Sequence, residues 1–165
     1  MSDSPQIPRS RRPLMPEGYG ISTSTDGMIG WDWVETRLKS ARNYWICTTR
    51  PNGNPHAAPV WGVWYENALY FGVNPQSRKG RNMLANPNVV VHLESGDEVV
   101  ILESIALQDS SGTLPVQIVT SYAAKYNFTP DPNDPNGPFF IARPKIALAW
   151  LENDFPRTAT RFEFE

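Results

Sequence analysis

The 165-residue chain contains one cysteine, two histidines, and no apolar run near the ~20 residues that a membrane-spanning helix needs. A lone cysteine excludes an intramolecular disulfide framework and any multi-cysteine zinc or iron–sulfur centre. Cys47 lies in the apolar stretch Tyr44 to Thr48 and reads as a small core residue, in a chain suited to a reducing cytoplasm. His56 and His92 lack metal-ligand spacing, so no metal is expected. Charge of one sign is missing too: 15 Lys and Arg against 17 Asp and Glu leave a formal charge of −2. No global basic field recruits nucleic acid or an anionic membrane, and neither is expected as a partner. Neither G-x-G-x-x-G nor G-x-x-x-x-G-K-[ST] occurs, which removes the glycine scaffolds of classical dinucleotide and P-loop sites.

What is present suffices for one core: 40% hydrophobic and 12% aromatic residues. Residues 1–18, with four prolines and three arginines, lack the apolar stretch of a secretory signal and read as a flexible tail before a single domain at 19–165. Trp31, Val34 and Leu38 recur at helical spacing. Strands are expected at 44–49, 56–65 and 68–73 as a meander, then a helix ending at Asn86-Pro87. Strands at 89–93 and 98–107 are nearly continuous in apolar residues, which suggests burial on both faces. A helix at 116–126, an irregular loop at 127–138 that could serve as a lid, and strands at 139–151 and 159–164 complete the chain. About seven strands and three helices, joined by tight turns, predict a mainly β, antiparallel barrel with helices packed on it.

The densest chemistry is at Ser77, Arg78, Lys79 and Arg81, a hydroxyl and three cations between a strand and a helix start. Backbone N–H groups and the helix dipole at such a terminus favour an anion, and a phosphate monoester fits the donor set. A solvated basic turn is the other reading of the same residues.

Taken together, Ala41-Arg42-Asn43-Tyr44-Trp45, Asn52-Gly53-Asn54-Pro55-His56, Pro59-Val60-Trp61, Tyr70-Phe71, Ser77-Arg78-Lys79, Arg81-Asn82, Asn86-Pro87, Trp150 and Thr160-Arg161-Phe162 form an ordered series. In order and spacing this series resembles the flavin and deazaflavin oxidoreductases related to pyridoxamine 5′-phosphate oxidase, over about residues 31 to 164. The resemblance implies a split β-barrel acting as a homodimer, with FMN as cofactor or, alternatively, an 8-hydroxy-5-deazaflavin. It assigns the cofactor phosphate to Ser77, Arg78 and Lys79, with Arg81 and Asn82 completing the motif. Pro59, Val60 and Trp61 would border the isoalloxazine ring, although Trp61 reads equally as barrel core. Gly72 and Val73 stand where the oxidase has a hydroxylic ring contact and offer only backbone groups. Trp150 and Arg161 match residues that reach the flavin partly across the dimer interface. The Arg-x-His pair that grips pyridoxal phosphate is replaced by Arg157-Thr158-Ala159, so activity as a true pyridoxamine phosphate oxidase is not expected. The implied reaction is hydride transfer between the flavin and a small organic substrate, with storage of flavin without turnover as a further alternative.

Overall fold

The structure, a computed structural model, describes residues 6–165. Nine strands and four α-helices follow in the order β1 (Arg9–Arg11), α1 (Trp31–Ser40), β2 (Tyr44–Thr49), β3 (Pro55–Val60), β4 (Val63–Tyr65), β5 (Ala68–Gly72), α2 (Arg78–Ala85), β6 (Asn88–His92), β7 (Glu98–Gln108), α3 (Val116–Tyr126), β8 (Phe139–Leu151), α4 (Phe155–Thr158) and β9 (Thr160–Glu163). Every strand pair is antiparallel.

β8 organises the sheet. One edge pairs with β7 from Phe140 to Leu151. The other edge is divided: β5 takes Phe139 to Ala142, and β9 takes Ile146 to Ala149. Between them the β7 register steps from Ile146 opposite Glu103 to Pro144 opposite Ser104, a bulge that tolerates the missing N–H of proline. The remaining order runs β7, β6, β2, β3, and the chain continues from β3 into β4 and thence to β5, closing a split β-barrel.

That continuation corrects the expectation of one unbroken strand at 56–65. The chain leaves the ladder at Trp61-Gly62 because Gly62 presses against Leu69 and Tyr70: a Cβ there would stand 2.9 Å from Leu69 Cδ1 and 3.0 Å from the Tyr70 carbonyl oxygen. The Tyr126 hydroxyl holds the corner. It accepts from Gly62 N–H at 2.9 Å and lies 2.7 and 2.9 Å from the carbonyl oxygens of Arg42 and Gly62.

Alternation along the strands fills the barrel with Tyr44, Ile46, Leu69, Phe71, Val91, Val100, Leu102, Phe140 and Phe162, all essentially inaccessible. α1 adds Trp31, Val34 and Leu38, and the Trp31 ring packs edge-on against Phe162 and Phe164, with centroids 5.2 Å away in each case.

Three further expectations change. β6 and β7 are buried on one face only; on the other, Val90, His92, Ile101 and Ile105 are half-covered and Leu107 is 60% exposed. Among the described residues, no helix covers that face. Arg9–Arg11, read as part of a flexible tail, forms β1 along the edge of β9, and the Arg12 guanidinium reaches the carbonyl oxygens of Ser24, Asp26, Arg157 and Ala159. The first five residues of that tail lie outside the described residues. The connection at 152–158 holds a 3₁₀ turn and α4, where Pro156 suits a first helical turn.

Tyr126→Phe keeps the ring and deletes the hydroxyl that satisfies Gly62. The expected loss is about 1–3 kcal/mol of unfolding free energy, seen as a lower denaturant midpoint with an unchanged slope.

Candidate functional site

The turn between β5 and α2 is built by local hydrogen bonds. Asn74 Oδ1 accepts from Gln76 N–H at 2.8 Å and the Asn74 carbonyl from Ser77 N–H at 3.0 Å. Ser77 caps α2 through its side chain, accepting from Gly80 N–H at 3.2 Å. Its hydroxyl hydrogen remains free to donate. Gly80 lies so close to this turn that a Cβ would collide with the Asn74 carbonyl oxygen and stand 2.8 Å from Pro75 Cα. Among the described residues, the N–H groups of Arg78 and Lys79 at this helix start have no hydrogen-bond partner.

The charges there are unusual. The first turn of α2 holds no acidic residue, and Arg78, Lys79 and Arg81 set three cations against the positive end of the helix dipole. Among the described residues, none of the three has a carboxylate partner or a side-chain hydrogen bond. An isolated turn would gain from an Asp or Glu in that position. This donor set of a hydroxyl, two free backbone N–H groups and three cations fits a phosphate.

Asn82 behaves differently from its neighbours. It is fully buried, and its Nδ2 donates to Thr48 Oγ1 at 2.9 Å, tying α2 to β2. Its Oδ1 is buried with no hydrogen-bond partner among the described residues.

Pro59 and Trp61 lie at the outer edge of the sheet, where β3 has a ladder partner on one side only. Val60 points into the core and offers backbone alone. Trp61 is not barrel core: it is 42% exposed, stacked on Tyr126 at 4.7 Å and 10°, with the Arg42 guanidinium 5.8 Å from its centroid. Gly72 and Val73 close β5, with Val73 N–H donating to the Pro138 carbonyl at 3.1 Å. The 127–138 loop is shaped by successive turns in which Asp131 and Asp134 accept from Asn133 and Asn136.

Trp150 and Arg161 stand elsewhere. Cross-strand partners run Pro59, Trp45, His92, Ile101, Leu148, Arg161 in one row, so five strand steps, roughly 24 Å of sheet, separate Pro59 from Arg161. By the other route around the barrel, α1 fills the gap between β4 and β9, its Trp31 touching both Trp64 and Phe162. Trp150 shares the face of Leu148 and Arg161 and meets Phe155 edge-on at 5.5 Å. The structure thus brings the residues expected at the cofactor into two groups and keeps the groups apart.

The comparisons with known proteins fit this architecture. A family model described as pyridoxamine 5′-phosphate oxidase matches residues 32–127, more than half of the chain. The chain belongs to that family. No curated protein sequence matches significantly. Similar solved structures include an F420 reductase (22% identity, 68% of this chain and 94% of that one, TM-score 0.54). General Stress Protein 26 from Bacillus anthracis str. Sterne is also similar (23% identity, 72% and 91%, TM-score 0.59). So is the haem storage protein HutZ from Vibrio cholerae (12% identity, 68% and 88%, TM-score 0.55). At these identities the likeness establishes the shared fold. Among the described residues, no helix is long and apolar enough to cross a membrane.

Other polar residues near the site are already engaged. Glu98 is held by Arg37 at 2.7 and 3.0 Å. His92 stacks flat on Trp45, and its Nδ1 sits 2.8 Å from the Leu93 carbonyl. Sequence reasoning did not single out Arg11 and Glu163; the Glu163 carboxylate accepts from both Arg11 and Arg161, and the alternating charges of Arg9, Arg11, Arg161 and Glu163 were the available signal.

Lys125 lies beneath the Trp61–Tyr126 stack, its ammonium 2.8, 3.0 and 3.2 Å from the Ala41 carbonyl, Tyr44 hydroxyl and Gly62 carbonyl. Burial pulls its pKa from 10.5 down to about 8. Between those values the unfolded chain binds the extra proton, so the contribution of Lys125 to stability rises with pH across that window. Burial raises the pKa of Tyr44, and that of Tyr122 to about 12, which opposes the trend only above the ordinary tyrosine range. Thermal midpoints of the wild type relative to Lys125→Met are therefore expected to increase from about pH 7.5 to about pH 9.5.

Proposed function

We propose that this protein is a flavin-dependent oxidoreductase that holds the phosphate of FMN at the N-terminus of α2. The observation that carries this reading is the uncompensated charge there: Arg78, Lys79 and Arg81 stacked on a positive helix end, around a Ser77 hydroxyl with a free hydrogen. A bound isoalloxazine would itself supply hydride acceptance and donation at N5, and the protein's part is binding, orientation and shielding. Pro59 and Trp61 would flank the ring from the free edge of β3. Gly72 and Val73 would contribute backbone alone.

The same reading makes the protein a homodimer. One cofactor served by both the α2–β3 group and the Trp150–Arg161 group needs the second group from another copy, because several strands of sheet separate the two within one subunit. The uncovered face of β6, β7 and β8 supports this. Hollows of about 490 and 470 Å³ flank Ile105 and Lys145 on it, and a twofold-related copy would cover them isologously. The substrate is a small organic molecule bound beside the ring. It is not pyridoxamine phosphate, since Thr158 is buried, its hydroxyl bonded to Leu151 N–H and the Asp154 carbonyl, and buried Ala159 replaces the histidine.

A deazaflavin cofactor is the second reading. It is favoured by the F420 reductase likeness and by Arg42, an exposed cation over the Trp61–Tyr126 stack that could meet an acidic tail. Matched titrations with FMN and the deazaflavin separate the two. Tight FMN binding without reduction by NAD(P)H would instead mark a flavin store.

The double change Arg78→Ala, Lys79→Ala removes two charge-assisted contacts worth roughly 1.5–3 kcal/mol each, so flavin affinity is expected to fall by at least a hundredfold with the thermal midpoint retained. Affinity within a few-fold of wild type would make the cluster a solvated turn. For the dimer, Val90→Asp on the open face is expected to give monomers in sedimentation velocity, where the wild type sediments as a dimer.

A further inference from the structure

We infer that the N-terminal strand belongs to the cofactor site: Arg11, acting through Glu163, is a positioning residue for Arg161. The inference rests on the proposed contact between Arg161 and the flavin. Arg11 and Arg161 are direct cross-strand partners on β1 and β9, two guanidinium groups placed where like charges repel. Glu163, two residues along β9 on the same face, resolves that conflict. Its Oε1 accepts from Arg11 Nε at 2.8 Å, from Arg11 Nη2 at 2.7 Å and from Arg161 Nε at 2.9 Å. The two arginines hold the Glu163 carboxyl well below its ordinary range, near 2, so the bridge persists at any working pH.

This geometry leaves Arg161 with its Nε bound to Glu163 and, among the described residues, no hydrogen-bond partner on its terminal nitrogens. A guanidinium anchored this way loses little further freedom when it meets a ligand. β1 is itself anchored next door, where Arg12 donates to four carbonyl oxygens that span the 24–26 and 157–159 segments.

The test is FMN titration of the full-length chain by flavin fluorescence, with thermal midpoints recorded for each variant. Glu163→Gln keeps both arginines and makes the surface more positive by one charge. Simple attraction of an anionic ligand would therefore tighten binding, whereas positioning requires it to weaken, by roughly tenfold. Arg11→Gln is expected to weaken it similarly, which guards against an unstable Glu163 variant. In an Arg161→Ala background, Glu163→Gln should then add nothing further, because the residue it orients is gone. Unchanged or tighter binding in Glu163→Gln, or effects that add in the double variant, overturn the inference. A single Arg161→Ala variant with wild-type affinity instead overturns the underlying contact.

Discussion

Everything in this fold depends on how β8 divides its second edge. A strand of 13 residues serves β7 along one side, while β5 and β9 each claim part of the other. The bulge at Pro144 marks the exchange. That division opens the barrel enough for α1 to insert Trp31 between β4 and β9, and it sets Arg161 and Trp150 several strands away from β3. The separation of the two candidate groups thus follows from strand pairing, and in the proposed dimer a second copy would reunite them.

The electrostatics of α2 give the other half of the account. Helix starts ordinarily gather acidic residues, which offset the dipole. Here Ser77 supplies the cap, Gly80 allows the tight approach to Asn74, and the following side chains are cationic. A bound phosphate would remove both the charge repulsion and the unmet backbone donors, so ligand binding and local stability are linked. The Arg11–Glu163–Arg161 bridge shows the contrasting solution, in which one carboxylate of the chain itself neutralises a crowded pair.

Much of this was legible in the sequence. Apolar runs bounded by turn residues gave β2, β7 and β8 close to their observed bounds, and the density of Ser77, Arg78, Lys79 and Arg81 after an apolar strand marked the helix start. The break at Trp61-Gly62 was not legible. Its cause is the approach of Leu69 and the Tyr126 hydroxyl, contacts from residues distant in the chain. β1 escaped notice because three residues rich in arginine carry no strand pattern of their own; they pair along β9, where Arg11 bonds to Glu163. The apolar runs of β6 and β7 suggested burial on both faces, whereas one face in this subunit is open. The burial of Asn82 and its bond to Thr48 were not legible either, since both depend on how α2 packs on β2.

The most direct test of a flavin shared between subunits mixes two defective chains. Arg78→Ala, Lys79→Ala would be unfolded and refolded together with Arg161→Ala, and FMN titrated into the mixture. If each site takes its phosphate loop from one subunit and its arginine from the other, every mixed dimer regains one intact site. Roughly a quarter of all sites should then bind FMN with wild-type affinity. No high-affinity sites in the mixture, with both parents defective and mixed dimers present, would contradict a cofactor held between two copies.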